Sequence, residues 1–265
     1  MGTVNGCALE RLRADYGAYV DSFRGPDGRL PEMMELKLEH TRMVVDAARR
    51  IAAGEGFDDR TAMACEAAAL LHDTGRYEQL KRFNTFRDSE SVDHAVFSHA
   101  IVSEKGWLDG WDERGAILDA VLWHNRRELP ADATDALTLA AARTVRDADK
   151  LDIFRVLEDR VAHTDWRHDS RAFWNLATEA PPNPVVVADI LARRPVDYQN
   201  ILSLSDFVLI QVGWMASGLE YATSRRLCSE RGHLEYRRRF LHELTDSPDI
   251  DRLCDFAASV LSERR

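Results

Sequence analysis

The chain has 265 residues, is 45% hydrophobic and carries a formal net charge of −10, so it can bury the core of one large domain. The negative charge argues against broad binding to nucleic-acid phosphates, although a locally basic cleft can still take a small phosphorylated substrate. Four cysteines without a CxxC pair, and a start without a basic and apolar leader, favour reduced thiols in a cytoplasmic protein.

Apolar residues recur at helical spacing through most of the chain and β-branched alternation is scarce, which predicts an all-α fold. The expected helices cover residues 8–23, 32–53, 59–73, 91–104, 112–125, 135–158, 185–193, 205–221, 232–244 and 250–263. Gly75 is expected to stop the third of them, and residues 82–90 form a polar loop. The longest apolar run, residues 207–216, is too short to cross a bilayer, so no membrane contact is expected.

No repeat or low-complexity tract divides the chain, and we expect a single all-α domain over residues 1–265. Side chains with ligand chemistry concentrate in a core of about residues 35–155. A loop at Pro181-Pro182-Asn183-Pro184 then leads to helices within residues 185–263, which are expected to pack around that core.

The dipeptide His72-Asp73 ends a strongly apolar run from Ala62 to Leu71. Ionisable groups rarely enter such surroundings unless they are paired or bound to a metal. The carboxyl end of a helix carries partial negative charge, which favours a cation at this point.

Other potential ligands also interrupt apolar helix faces, namely His40, His94, His124 and Asp149. A single buried histidine is more often a hydrogen-bonded core residue than a ligand, but this whole set favours a metal site between facing helices. Imidazole and carboxylate ligands suit one or two divalent transition-metal ions, whether Fe, Mn, Zn, Co or Ni.

Four motifs carry a resemblance to a known family: Lys37-Leu38-Glu39-His40, Leu70-Leu71-His72-Asp73-Thr74-Gly75-Arg76, Asp93-His94-Ala95 and Asp147-Ala148-Asp149-Lys150-Leu151-Asp152. In this order they resemble the HD superfamily of metal-dependent phosphohydrolases, which implies an HD-like helical bundle. The resemblance implies metal binding by His40, His72, Asp73 and Asp149. His94 and His124 match the additional histidines of branches that bind two ions.

Three aspartates compete for the last ligand position, Asp147, Asp149 and Asp152. The family pattern and an apolar stripe favour Asp149. Asp147 would then cap or orient a ligand, and Asp152 would pair with Arg155 or Lys150.

The resemblance implies hydrolysis of a phosphate ester or anhydride of a small metabolite or nucleotide, with Asp73 and Arg76 in catalytic roles. Arg76 either contacts a phosphate or is a surface arginine, and Lys37 is expected to be solvated. Two alternatives stay open: a di-iron oxygenase of the same superfamily, and a non-catalytic metal-containing binding or sensing protein. Five histidines lie outside this set. His99 is expected to lie at the surface or to support a ligand, and structural or surface roles are expected for His163, His168, His233 and His242.

Overall fold

The computed structural model of the protein describes residues 2–168, 173 and 176–263. Helices dominate this part of the chain, and the extended pairing found in it is an isolated bridge between Ala177 and Ser203. The prediction of an all-α fold is therefore confirmed. Among the described residues, no helix combines the length and the hydrophobicity that a bilayer crossing requires.

The α-helices within the described ranges are α1 (Gly2–Asp21), α2 (Glu32–Gly54), α3 (Asp59–Leu71), α4 (Gly75–Phe83), α5 (His94–Lys105), α6 (Arg114–Trp123), α7 (Ala136–His163), α8 (Pro184–Leu191), α9 (Leu204–Ser217), α10 (Ala222–Glu230), α11 (His233–Leu244) and α12 (Asp249–Leu261).

The chain divides into two compact units, residues 1–149 and 150–265, and the division falls inside α7. In the first unit, α3 packs against α1, α2 and α6, while α5 packs against α4 and α6. In the second unit, α9 packs against α8, α11 and α12. The single domain over residues 1–265 stays a prediction.

Gly75 begins a helix, contrary to the expectation that it ends one, and α4 was not expected at all. The chain turns between Leu71 and Gly75, where the Thr74 hydroxyl donates to the Leu71 carbonyl over 2.8 Å. A Cβ at Gly75 would lie 2.7 Å from the Ser98 nitrogen and 2.9 Å from the His94 oxygen. Only glycine allows α4 to approach α5 this closely, and this approach brings Asp73 near His94.

The side chains of Asp93 and Ser203 cap the first turns of α5 and α9. Helix α5 begins at His94 because the Asp93 carboxylate accepts hydrogen bonds from the first-turn amides of Ala95 and Val96. Helix α9 is capped by Ser203, whose hydroxyl and the Asp206 carboxylate satisfy each other's backbone amides in a capping box.

Candidate metal centre

The predicted ligands come from five positions in the first unit, and the structure brings them together. His40 lies in the middle of α2, and His72-Asp73 forms the turn between α3 and α4. His94 is the first residue of α5, and His124 directly follows α6. Asp149 lies in α7. We call these residues the Asp73 cluster.

The Asp73 carboxylate lies between two pairs of imidazoles. Its Oδ2 is 3.6 Å from His40 Nε2 and 3.5 Å from His72 Nε2. Its Oδ1 is 3.7 Å from His94 Nε2 and 3.8 Å from His124 Nε2. Each oxygen therefore faces one histidine pair, which is the arrangement of a carboxylate that bridges two ions.

Asp149 completes the first of these groups. Its Oδ1 lies 3.1 Å from His40 Nε2 and 3.9 Å from His72 Nε2. Asp152 binds Arg155 Nε over 2.6 Å, as one of the two expected pairings requires. Asp147 is fully buried. The first group thus contains His40, His72, Asp73 and Asp149, and the second contains Asp73, His94 and His124.

Hydrogen bonds at Nδ1 determine which ring nitrogen faces inward. His72 Nδ1 lies 2.7 Å from the Ala69 carbonyl, and His124 Nδ1 lies 2.7 Å from the Val121 carbonyl. Because a carbonyl can only accept, each neutral ring carries its proton on Nδ1 and directs the Nε2 lone pair into the cluster. His94 follows the same rule, with the Asp88 carboxylate as acceptor.

The inward-facing Nε2 atoms then lie close together. His94 Nε2 and His124 Nε2 are 3.0 Å apart, and His40 Nε2 and His72 Nε2 are 3.4 Å apart. Two Nε2 lone pairs at such distances repel unless a proton or a metal cation lies between them. Imidazole nitrogen with carboxylate oxygen suits Fe, Mn, Zn, Co or Ni, so these residues fit a divalent metal.

Burial and nearby cations hold His124, His72 and Asp73 in the protonation states that ligation needs. It lowers the pKa of His124 to about 3 and also lowers the pKa of His72, so both rings are neutral at pH 7. Burial opposes ionisation of Asp73, but the positive charges of Lys37 and Arg76 hold its pKa well below the usual value. Neutral imidazole and ionised carboxylate are the forms that bind metals.

Arg76 lies beside the cluster and contacts Asp73, Gln79 of its own helix and the following loop. Its NH1 lies within hydrogen-bond distance of Gln79 Oε1, the Phe86 carbonyl and Asp88 Oδ1 at 2.8, 2.7 and 3.0 Å. Its buried Nε lies 3.4 Å from Asp73 Oδ1 and has no hydrogen-bond partner within the described part of the chain. The reading of Arg76 as a surface arginine is wrong, since 14% of its side chain is exposed.

Lys37 was expected to be solvated, and this expectation is wrong. Its Nζ donates to Asp73 Oδ2 over 2.6 Å, and 16% of its side chain is exposed. The sequence held a usable signal, because Lys37 precedes His40 by three residues and therefore lies on the same helix face.

Asp88 belongs to the site although nothing in its local sequence indicated this. It lies in the loop expected over residues 82–90, and its carboxylate accepts from His94 Nδ1. Asp93, which adjoins His94 in the sequence, instead caps α5 and accepts a hydrogen bond from Asn125 over 2.9 Å.

The histidines expected to lie outside the site have other partners. His163 bonds the Asp159 carbonyl, His168 pairs with Asp165, and His242 contacts Asp251. His233 is buried in the second unit and donates to Glu158.

A comparison with known families finds that the family model of the HD domain matches residues 38–153. This range contains every member of the Asp73 cluster. No curated protein and no solved structure gives a significant match to the chain. HD domains bind divalent metals, and the His and Asp groups of this chain are of the kind that could hold one.

Proposed function

Because residues 38–153 of this chain match the family model of the HD domain, we propose that the protein is a metal-dependent phosphohydrolase. Its substrate would be a phosphate ester or anhydride of a small metabolite or nucleotide. The proposed ligands are the members of the Asp73 cluster. The observation that supports this most is the bridging position of Asp73, with a different histidine pair at each of its oxygens.

One or two divalent ions bound in the cluster would polarise phosphoryl oxygens and lower the pKa of water from 15.7 to about 7. The contribution of the chain itself is to hold the metal-ligand side chains in position before a metal binds. The side chain of Asp73 is 3% exposed and that of His72 is fully buried, so neither has to be reorganised from bulk solvent.

Two cationic side chains next to Asp73 suit an anionic substrate. Lys37 and Arg76 both contact Asp73, and both lie over the ring of Phe86, at 5.7 and 5.6 Å from its centroid. The Arg76 Nε–H has no hydrogen-bond partner among the described residues. We propose that it donates to a non-bridging phosphoryl oxygen. Asp73 and Arg76 are the proposed catalytic residues, and Lys37 adds positive charge at the same place.

The test is a metal-dependence assay on the full-length protein. The protein is stripped with a chelator, reloaded separately with Mn, Fe, Zn, Co or Ni, and assayed on phosphomonoesters, phosphodiesters and phosphoanhydrides. We expect turnover of at least one substrate class, loss of turnover on stripping, and recovery on reloading. Protein that retains metal but hydrolyses no member of the panel would contradict the proposal.

The same donor set also supports a second candidate, the di-iron oxygenase. A carboxylate between two histidine-bearing groups can hold two irons, which is why the two-group geometry favours this alternative over a single structural ion. Anaerobic purification followed by iron analysis and EPR separates the candidates. A centre that carries no iron rules out the oxygenase, whereas a metal closed to solvent and inert on every substrate favours the binding or sensing protein.

A further inference from the structure

The histidines of the Asp73 cluster are not all held in place by the same means. The rings of His72 and His124 are fixed by carbonyls three residues earlier, at the ends of their own helices. The ring of His94 has no such local anchor, because His94 begins its helix. Its Nδ1 binds the carboxylate of Asp88, which belongs to a separate loop.

Asp88 is itself tightly placed. Its Oδ2 accepts from the His94 ring, and its Oδ1 accepts from Arg76 NH1 and from Gln79 Nε2, both at 3.0 Å. A carboxylate bound on both oxygens has little freedom to rotate, so it fixes the direction of the imidazole.

Gln79 holds the loop that carries Asp88. Its side chain is fully buried on α4, and its Nε2 also lies 2.9 Å from Ser91 Oγ and 3.0 Å from the Val92 carbonyl. Arg76 contributes the bond to the Phe86 carbonyl. Two residues of α4 therefore fix the loop on both sides of Asp88.

The second group of the cluster depends most on this arrangement. The first group has four protein ligands, His40, His72, Asp73 and Asp149, and does not include His94. The second group has three, Asp73, His94 and His124. Loss of His94's orientation removes one ligand in three from the second group and none from the first.

We propose that Asp88 is a positioning residue that determines whether a second metal ion binds, by orienting His94 toward Asp73 and His124. Gln79 and Arg76 support it by fixing the loop. This inference rests on the proposed function, since it takes the cluster as a metal centre. Carboxylate partners of ligating histidines are worth about 10- to 100-fold in metal affinity, which sets the size of the expected effect.

The experiment is a Zn²⁺ titration of the full-length, metal-stripped protein by calorimetry, with bound zinc counted by elemental analysis after dialysis. Wild type is expected to bind two ions in the cluster. Asp88→Asn is expected to keep the first ion at wild-type affinity and to bind the second about 10- to 100-fold more weakly. Asp88, Asp93 and His94 could also hold a zinc ion outside the cluster, and both Asp88→Asn and Asp93→Asn alter this group, so the comparison of these two variants separates it from the second ion.

Asp93→Asn is the matched control, because Asp93 is an acidic residue next to His94 that caps α5 and does not hold the ring. It is expected to bind both ions as wild type does. Gln79→Met is a second variant that removes the bonds to Asp88, Ser91 and Val92 without touching a ligand, and it should also weaken the second ion. Circular dichroism confirms that each variant is folded.

The inference is overturned if the Asp88→Asn and Gln79→Met variants bind the second ion as tightly as wild type does. It is equally overturned if Asp88→Asn loses both ions together, or if wild type binds a single ion. A wild type that binds no zinc in the cluster contradicts the proposed function instead, so the two failures are distinguishable.

Discussion

Each unit of the chain buries a polar cluster, and the two clusters differ in how their donors and acceptors match. In the second unit, Arg237 is fully buried and its guanidinium is completely bonded. Nε and NH2 donate to Gln211 Oε1, NH2 also donates to the Phe154 carbonyl, and NH1 donates to Glu158 and to the His233 carbonyl, all within 2.7–3.0 Å. We call Arg237, Glu158, Gln211 and His233 the Arg237 cluster.

In the first unit, the polar atoms that face the interior of the Asp73 cluster are mainly imidazole nitrogens and carboxylate oxygens. The Nε2 atoms of His94 and His124 face each other at 3.0 Å. A carboxylate oxygen of Asp149 lies next to Nε2 of His40, and one of Asp73 lies next to Nε2 of His72. In the Arg237 cluster the cation is a side chain of the protein, the guanidinium of Arg237. In the Asp73 cluster, Lys37 and Arg76 lie at the edge, and the interior still suits a cation from solution.

A buried cluster that stabilises the fold and one that binds a ligand differ in how their polar atoms are bonded. Burial of ionisable groups is common to both, so burial alone does not discriminate. Gln211 Nε2 and His233 Nε2 have no hydrogen-bond partner among the described residues, so the guanidinium of Arg237 is the fully bonded part of its cluster. A buried protein cation bonded at every nitrogen indicates a cluster that stabilises the fold, whereas imidazoles and carboxylates that converge on a shared interior indicate a ligand.

The largest expected effect comes from the Asp73 cluster. Asp73→Ala removes an oxygen from both groups, so we expect loss of bound metal and a fall in phosphohydrolase activity of about 1,000-fold or more, since a metal contributes several kcal/mol to such reactions. His72→Ala should behave similarly. Elemental analysis and steady-state kinetics measure both quantities.

His168→Ala is the control for this change, because His168 is exposed and pairs with Asp165 alone among the contacts described for it. It should alter neither metal content nor activity. Equal metal content in wild type and Asp73→Ala would show that the cluster is not the metal centre.

The next effect concerns stability and distinguishes the Arg237 cluster from a binding site. Arg237→Met leaves Glu158 without its buried cation and Gln211 without its donor, so we expect a loss of about 3 kcal/mol in the free energy of unfolding. Metal content per folded molecule should not change. Urea unfolding followed by circular dichroism, together with elemental analysis, tests both statements.

Arg238→Met provides the matched control one residue later. Arg238 makes exposed ion pairs with Asp251 and Asp255, which contribute about 0–1 kcal/mol in such positions. A cost of Arg237→Met no larger than that of Arg238→Met would mean that the Arg237 cluster does not stabilise the second unit.

The smallest effect is a pH dependence within the Arg237 cluster. Burial opposes ionisation of Glu158, but the hydrogen bonds from His233 and Arg237 hold its pKa below the ordinary 4.5. Its contribution to stability is therefore fully present above pH 4.5 and is lost as the pH falls through the lower pKa of the folded state. Glu158→Gln should cost about 1.5 kcal/mol at pH 7.

The difference in unfolding free energy between wild type and Glu158→Gln should shrink as the pH falls below 4.5. Chemical denaturation at a series of pH values measures this difference directly. A difference that stays constant from pH 7 down to pH 3 would show that the charge on Glu158 is unimportant for stability.

Much of the helical order could be predicted from the sequence, because apolar periodicity is a local property. The expected helix over residues 32–53 matches α2 (Glu32–Gly54), and that over 232–244 closely matches α11 (His233–Leu244). Helices α4 and α10 were missed. Both have 9 residues with few apolar side chains among them, so no clear apolar period develops, whereas the comparably short α8 is mostly apolar and was expected.

The candidate ligands could also be named from the sequence, since each interrupts an apolar stripe with a side chain of metal-ligand chemistry. Their partners could not. Nothing near Asp88 in the sequence relates it to His94, and Gly75 resembled a helix stop until its contact with α5 was known. Whether the Lys37 side chain points into solvent or toward Asp73 also depended on how α2 packs next to Asp73.

The sequence by itself therefore determined an all-α fold, a resemblance to HD domains over residues 38–153, and an unusual set of histidines and aspartates on apolar faces. Only the tertiary structure decided which nitrogen each imidazole turns inward, which oxygen of Asp73 each pair meets, and which loop steadies His94. The reason is physical: helix formation and side-chain chemistry are set by neighbours within a few residues, whereas orientation inside a cluster is set by groups tens of residues away in the chain.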